Sequence, residues 1–427
     1  MGCNREVIEN KRTGDSYVKI HHPSGLDILI WDMKGFTTTY ALFATKYGSI
    51  NTKFKTADKE EFIEVPEGIA HFLEHKLFEN EDSDVFDLYA QTGANCNAYT
   101  SFDHTAYLFN TSGDYKKPLE ILLNFVQKPY FTQETVDKEQ GIIAQEIKMC
   151  NDSPDRKCYF NLLKAMYKNH PIKIDIAGTV ESIAKINADL LYECYNTFYN
   201  LNNMVLSIAG NVDEKIVLEI CDKCLIPAKD QELECDFKDE PYEIFQKEII
   251  EHFEVGQPIF NIGFKSKPAR GRELVKLEVA SSILMQMLFS NISPLYKELL
   301  DDGLITSPLS CETFDSEGVM ACIIGGESKD PKMVLDKCIK TVKDAKKKGL
   351  NKKQFEILKK SKFGSIIRGF NNVENCAELM MGSHFFAESD AFASSEEYAN
   401  LTYEDCMKAL DILFDTDNVA ISIVDNK

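Results

Sequence analysis

Five consecutive residues, His71-Phe72-Leu73-Glu74-His75, have the residue types and spacing of a metal-dependent hydrolase site. On a helix, positions i and i+4 share one face, so His71 and His75 can present two imidazole nitrogens to one metal ion. Glu74 is offset from that face and is suited to hold a water molecule instead of the metal. Zinc with three protein ligands keeps one position open and lowers the pKa of its water to about 7. A neighbouring carboxylate can then take the proton and return it to a leaving amine.

The motif alone leaves two interpretations open, because five residues in 427 can match by chance and helical histidines are often surface residues. The H-x-x-E-H order is that of inverted zincins, which need a third ligand from elsewhere in the chain. The candidates are Glu139 and Glu146 on a helix predicted over 132–150, almost two turns apart and therefore on one face. Glu146 can be the ligand while Glu139 holds a histidine or the water. A solvated acidic helix face is the alternative.

The surrounding pattern predicts mixed strands and helices. Predicted elements of the first part are strands within 17–48, 95–110 and 204–209, and helices over 69–79, 84–91 and 132–150. After a charged stretch with few apolar residues, the order restarts. Predicted elements there are strands over 259–264, 317–325 and 419–424, and helices over 273–289, 332–347 and 352–369.

This restart indicates an internal duplication. We therefore predict an α+β fold with two similar domains in tandem, each an antiparallel-rich sheet covered by helices. The expected boundaries are a zinc-binding domain over 1–226, a linker over 227–241 and a metal-free domain over 242–427.

Composition narrows the functional classes. The chain has 48 Lys and Arg against 68 Asp and Glu, a formal net charge of −20. Nucleic acids and anionic membranes need a basic face, so we expect neither as the main partner. No run reaches the 18 apolar residues of a membrane span. The 13 cysteines are scattered and odd in number, which is typical of reduced thiols and predicts a cytoplasmic protein.

The stretch VPEGIAHFLEHKLFE (65–79) resembles the active-site helix of the pitrilysin/insulinase family of zinc metallopeptidases, which includes the mitochondrial processing peptidase. In that family the third ligand is a downstream Glu preceded seven residues earlier by another Glu, and Glu146 and Glu139 match this pattern. The resemblance implies one Zn²⁺ per chain, bound by His71, His75 and Glu146, with Glu74 as general base and Glu139 supporting a ligand.

A second stretch, TGANCNAYTSFDHTAYLF (92–109), is similar to the family's strand whose exposed edge pairs with substrate backbone. By that resemblance Asn97, Ala98 and Tyr99 would lie along the peptide. The sequences HFLEHKLFE and DVFDLYAQTGA are typical of the bacterial YmfH-like branch. The implied function is a zinc endopeptidase that hydrolyses extended peptides or unfolded polypeptide segments inside a clamshell chamber.

The second half departs from the family's pattern. Its equivalent of the zinc helix, 280–289, has no His or Glu. The family's Arg and Tyr that hold the substrate carbonyl, in a segment like LREKxGLAY, correspond to Leu299 and Thr306. The resemblance therefore implies a heterodimer with a zinc-free paralogue, or otherwise a homodimer. The alternatives are a catalytically weak subunit that needs this paralogue, a non-peptidase assembly subunit, and a zinc-dependent amidase or deacetylase. The edge strand disfavours the last, because backbone pairing selects extended polypeptide.

Overall fold

The computed structural model describes residues 4–57, 59–81 and 84–426, so the predicted domain termini at 1–3 and 427 lie outside the described residues. The strands of the described part are β1 (Asn4–Glu9), β2 (Ser16–His21), β3 (Asp27–Asp32), β4 (Thr39–Thr45), β5 (Lys53–Thr56), β6 (Ile63–Glu64), β7 (Asn95–Thr100), β8 (Thr105–Thr111), β9 (Met204–Gly210), β10 (Leu233–Cys235), β11 (Glu248–His252), β12 (Ile259–Ser266), β13 (Ser310–Ser316), β14 (Val319–Glu327) and β15 (Val419–Asp425).

The helices of the same part are α1 (Ile69–Lys76), α2 (Val85–Ala90), α3 (Lys116–Val126), α4 (Gln133–Asn151), α5 (Pro154–Met166), α6 (Val180–Ile183), α7 (Ala188–Phe198), α8 (Glu214–Cys224), α9 (Gly271–Leu288), α10 (Pro294–Asp301), α11 (Pro331–Lys348), α12 (Lys352–Gly369), α13 (Val373–Phe385), α14 (Ala393–Asn400) and α15 (Tyr403–Leu413). Two short 3-10 helices cover Pro171–Lys173 and Leu201–Asn203. None of the described helices combines the length and the apolar character that crossing a bilayer requires.

The first sheet has seven strands in the order β1-β2-β3-β9-β4-β8-β7. All neighbours are antiparallel except β3 and β9, which are parallel. The central strands β4 and β9 are buried along their whole length, as expected for strands covered on both faces. Strand β7 lies at the edge and pairs only with β8, so its outer side has no strand neighbour in the described part.

The second sheet has the order β11-β15-β12-β14-β13, again with one parallel pair, β11 and β15. Numbered by position along the chain, these strands run 1-5-2-4-3. The five strands β3-β9-β4-β8-β7 of the first sheet run in the same order. Helix α9 follows the second strand of its set, as α1 does in the first. The predicted α+β fold with two similar tandem halves is confirmed.

The two halves exchange one helix each. Helix α5 from the first half packs on β11, β12 and β15, while α13 from the second half packs on β3, β4 and β9. The contact of α5 is close, because a Cβ added at Gly263 on β12 would lie 2.4 Å from the sulfur of Met166. Each sheet is therefore covered on one face by its own helices and on the other by a helix of the other half.

The predicted linker over 227–241 is more than a loop. It contains β10, which pairs antiparallel with β5 and so extends a small three-stranded sheet of the first half. Further along, the buried carboxylate of Glu240 accepts a 2.8 Å hydrogen bond from Lys265 on β12. This segment thus contacts both halves, and the domain boundaries at 226 and 242 stay predictions.

Candidate metal centre

Helix α1 carries the H-x-x-E-H residues at its centre and C-terminal end. It begins after Gly68, whose φ of +85° is a left-handed conformation that favours glycine. A Cβ at this position would also lie 2.4 Å from the carbonyl oxygen of Ala177. The apolar side chains of Phe72 and Leu73 are fully buried in the first core. Burial of that face fixes the rotation of the helix and directs the two histidines to the opposite side.

Helix α4 brings two glutamates to the same place. Its buried positions Val136, Glu139, Ile143 and Ile147 recur at helical spacing, so Glu139 lies in the row that packs on the core. Glu146 lies seven residues later on the adjoining, partly exposed side. The side chain of Glu139 is only 9% exposed, and that of Glu146 is 34% exposed.

Three side chains converge as a ligand set. One ligand atom each from His71, His75 and Glu146 lie within 4.8 Å of one another. The Nε2 atoms of His71 and His75 are each 3.6 Å from an oxygen of Glu146. Ligand atoms bound at about 2.0–2.2 Å to a tetrahedral zinc ion lie about 3.3–3.6 Å apart. Two imidazoles and a carboxylate at this spacing fit zinc.

Glu139 orients one of these ligands. Its Oε1 is 3.0 Å from Nδ1 of His75. Because a carboxylate only accepts, Nδ1 carries the hydrogen of this bond, which leaves Nε2, on the side of Glu146, as the nitrogen that can bind a metal ion. Burial lowers the pKa of His75, but this hydrogen bond and the charges of Glu74, Glu139 and Glu146 raise it overall. Burial raises the pKa of Glu139, but the hydrogen bond with His75 and the neighbouring positive charges lower it overall.

The side chain of His71 is more buried than that of His75, with 12% against 27% of its surface exposed. Burial and, to a smaller extent, the charge of the neighbouring His75 lower the pKa of His71 to about 4. Its Nδ1 is buried and has no hydrogen-bond partner within the described residues. The imidazole is therefore neutral at neutral pH, which is the form that binds a metal.

Glu74 faces the same space but belongs to the buried side of α1. Its Oε2 accepts a 2.8 Å hydrogen bond from Oγ1 of Thr100, the last residue of β7. Burial raises the pKa of Glu74, against the opposing effects of Thr100 and His75. Sequence reasoning missed Thr100, because nothing in its local pattern distinguishes it from an ordinary strand threonine.

The predicted peptide-binding residues Asn97, Ala98 and Tyr99 lie on β7 at the open edge of the first sheet. The hydroxyl of Tyr99 is already used within the chain, since it donates a 2.8 Å hydrogen bond to Glu378 on α13. Glu378 was not a candidate from the sequence, because it lies 279 residues away.

Arg156 forms a two-pronged ion pair with Asp175, at 2.6 and 2.7 Å, and both charges influence His71. Neither Arg156 nor Asp175 was identified from the sequence.

Leu299 and Thr306 were predicted to occupy the family's Arg and Tyr positions. Leu299 is fully buried in the second core, and Thr306 is exposed after α10.

Two family models match the chain, one described as Insulinase (Peptidase family M16) over residues 63–180 and one as Peptidase M16 inactive domain over 185–362. The uncharacterized zinc protease YmfH of Bacillus subtilis (strain 168) is 40% identical over 392 residues, which is 91% of each chain. The chain belongs to the insulinase family. Within this family of metallopeptidases it falls in the YmfH-like branch.

Two further relatives show the range of this insulinase family. The crystal structure of an M16-like peptidase from Alicyclobacillus acidocaldarius superposes with a TM-score of 0.91 and 34% identity, covering 99% of this chain and 98% of that one. Human cytochrome b-c1 complex subunit 1 is 31% identical over 164 residues, 37% of this chain and 34% of the relative. The proteins similar to this chain thus include one named as a zinc protease and one named as a subunit of the cytochrome b-c1 complex.

Proposed function

We propose that this chain is a zinc-dependent endopeptidase that hydrolyses extended peptides or unfolded polypeptide segments. The observation that carries the proposal is the hydrogen bond from Thr100 to Glu74. It joins the end of an open edge strand to a carboxylate one residue from the ligand set of His71, His75 and Glu146. A peptide bound along that edge would reach the carboxylate and the ligand set together.

The residues divide the chemistry among them. His71, His75 and Glu146 would hold Zn²⁺, which when bound polarises the scissile carbonyl and makes a water molecule more acidic. Among the described residues only Thr100 hydrogen-bonds Glu74, and it occupies Oε2. Oε1 of Glu74 is left to accept the proton of the attacking water and to deliver it to the leaving amine.

Peptide binding rests on the edge of β7. An edge strand presents unpaired backbone N–H and C=O groups, and an extended peptide can add to it as a further strand. Asn97 and Ala98 lie midway along this edge, on the approach to Thr100. A small amide substrate would leave these backbone groups unused, so the geometry favours a peptidase over an amidase or deacetylase.

A partner chain would complete the site. The carbonyl-holding Arg and Tyr of the family have no counterpart here, since the positions are occupied by the buried Leu299 and by Thr306. We therefore propose a heterodimer in which a zinc-free paralogue supplies these donors across an acidic chamber, with a homodimer as the alternative. Losing one such donor costs about 10²–10³ in rate.

Metal analysis and peptide cleavage test the proposal together. The purified chain is expected to contain one zinc ion and to cleave unstructured peptides at internal bonds, identified by mass spectrometry of the products. Mixing with the zinc-free paralogue is expected to raise kcat/KM by about 10²-fold or more. A zinc-loaded chain that cleaves no peptide in either sample would refute the peptidase and favour an assembly subunit. Equal rates in both samples would refute the partner alone.

A further inference from the structure

The end of β7 that carries Thr100, together with the turn that follows it, contacts the second half of the molecule. Four residues in this region contact residues of the second half, namely Tyr99 with Glu378, Phe102 with Phe314, Asp103 with Ser316, and His104 with Phe386. Two of these contacts are hydrogen bonds of 2.8 and 3.1 Å, and two are ring contacts with centroids 5.7 and 5.2 Å apart. The metal-free half therefore touches the strand that leads to Glu74.

Glu378 makes the most directed of these contacts. Its Oε2 accepts a hydrogen bond from Tyr99 at 2.8 Å, and its Oε1 accepts one from Tyr40 at 2.9 Å. Tyr40 is 3% exposed and lies on β4, a central strand of the same sheet. One carboxylate, on a helix that covers the face of the sheet, thus accepts separate hydrogen bonds from the edge strand and from a central strand.

An edge strand has a particular need for such a contact. Within the described part of the chain, β7 has a strand neighbour on one side only, and β8 alone does not fix its position as tightly as two neighbours would. A peptide that pairs with β7 needs the backbone groups of the strand at fixed positions. The residue after Tyr99 is Thr100, which hydrogen-bonds Glu74. A shift of β7 would therefore move both the peptide and the base.

We infer that Glu378 is a positioning residue for peptide binding, which holds β7 through Tyr99 as a fixed template. The inference rests on the proposed peptidase function and adds to it a role for the metal-free half. Glu378 acts on the peptide only through β7. A purely structural role, fastening α13 to the sheet, would depend equally on Tyr40 and Tyr99.

That difference sets the experiment. Tyr99→Phe and Tyr40→Phe each remove one hydroxyl from the same carboxylate, but only Tyr99 lies on the edge strand; Glu378→Ala removes the acceptor for both. Each variant is assayed for KM and kcat with an unstructured, fluorescein-labelled casein peptide. The Kd for this peptide is measured by anisotropy with the same changes in a zinc-loaded Glu74→Gln background, where no turnover is needed. Circular dichroism and zinc content report folding.

We expect KM and Kd to rise about fivefold or more in Tyr99→Phe and Glu378→Ala, with a smaller change in kcat. Tyr40→Phe should stay within about twofold of the wild type, and adding Tyr99→Phe to Glu378→Ala should change little, because both remove one contact. Equal effects of the two tyrosine changes, or an unchanged Kd in Tyr99→Phe, would overturn the inference. If the wild type cleaves no peptide, the proposed peptidase function fails, but the comparison of Kd values still tests the role of Glu378. If the peptide binds to none of the proteins, the inference about Glu378 is overturned as well.

Discussion

Replacing Thr100 by valine would remove the hydroxyl that donates to Glu74 and keep the shape of the side chain. The hydrogen bond is 2.8 Å long and ends on a carboxylate. Hydrogen bonds to charged groups contribute about 1.5–3 kcal/mol, and each 1.36 kcal/mol is a tenfold change in rate. If the bond holds Glu74 in its working position, kcat should fall about 10- to 150-fold. Zinc content should stay complete, because Thr100 is not one of the three ligand residues.

The assay is kcat at saturating unstructured peptide, with zinc measured by mass spectrometry on the same preparation. Thr45→Val is a matched control, since Thr45 is fully buried and donates to the carbonyl of Phe198. That carbonyl keeps a second donor, Asn203, when the hydroxyl is lost. Thr100→Ser should restore most of the rate. Wild-type kcat in Thr100→Val with full zinc, or an equal loss in Thr45→Val, would refute the argument.

The other predictions concern the ligand set and the segment between the halves. Glu74→Gln should keep zinc and lose at least about 10²-fold in kcat, because the general base is removed but no ligand is; substantial residual cleavage would point to another base. Glu146→Gln should lower zinc content sharply, whereas Glu139→Gln should lower zinc affinity only about 10- to 100-fold, the usual effect of a group that supports a ligand; the reverse order in metal titrations would exchange their roles. Lys265→Met should lower the free energy of unfolding in urea by about 3 kcal/mol, because it leaves the buried Glu240 carboxylate without its cation. In the native protein burial raises the pKa of Glu240, but its hydrogen bonds from Lys265 and from backbone amides lower it overall. Its contribution to stability is therefore full above the ordinary Glu pKa and is lost as the pH falls through the lower native value, so Glu240→Gln should flatten the acid limb of the unfolding profile.

The four residues of the candidate metal centre could be proposed from the sequence because they form two pairs, each on one helix. His71 and His75 are one turn apart on α1, and Glu139 and Glu146 are two turns apart on α4. Helical periodicity determines both pairs, so the sequence alone could place them. That the two helices meet came from the resemblance to a family, since no local rule predicts the packing of α1 on α4.

Thr100 and Glu378, whose contacts position Glu74 and β7, could not be predicted because their partners lie far away in the sequence. Thr100 is 26 residues from Glu74, and Tyr99 is 279 residues from Glu378. Such contacts depend on sheet order and on the packing of α13, and neither of these produces a periodic pattern of residue types in the sequence. The segment over 227–241 was predicted as a linker because it is charged. Its strand β10 has only three residues, which is too short for an alternating pattern to be recognised.

The exchange of α5 and α13 has a consequence for how the protein is made. The first sheet receives its last strand when Gly210 has been synthesised, yet the helix that covers its open face ends at Phe385. The interval is 385 − 210 = 175 residues, or roughly 9–35 s at about 5–20 residues per second. Until α13 is made, the aromatic surface around Trp31 and Tyr40 lacks the helix that covers it in the folded protein. We therefore expect a fragment that stops before α13 to expose this apolar surface and to aggregate.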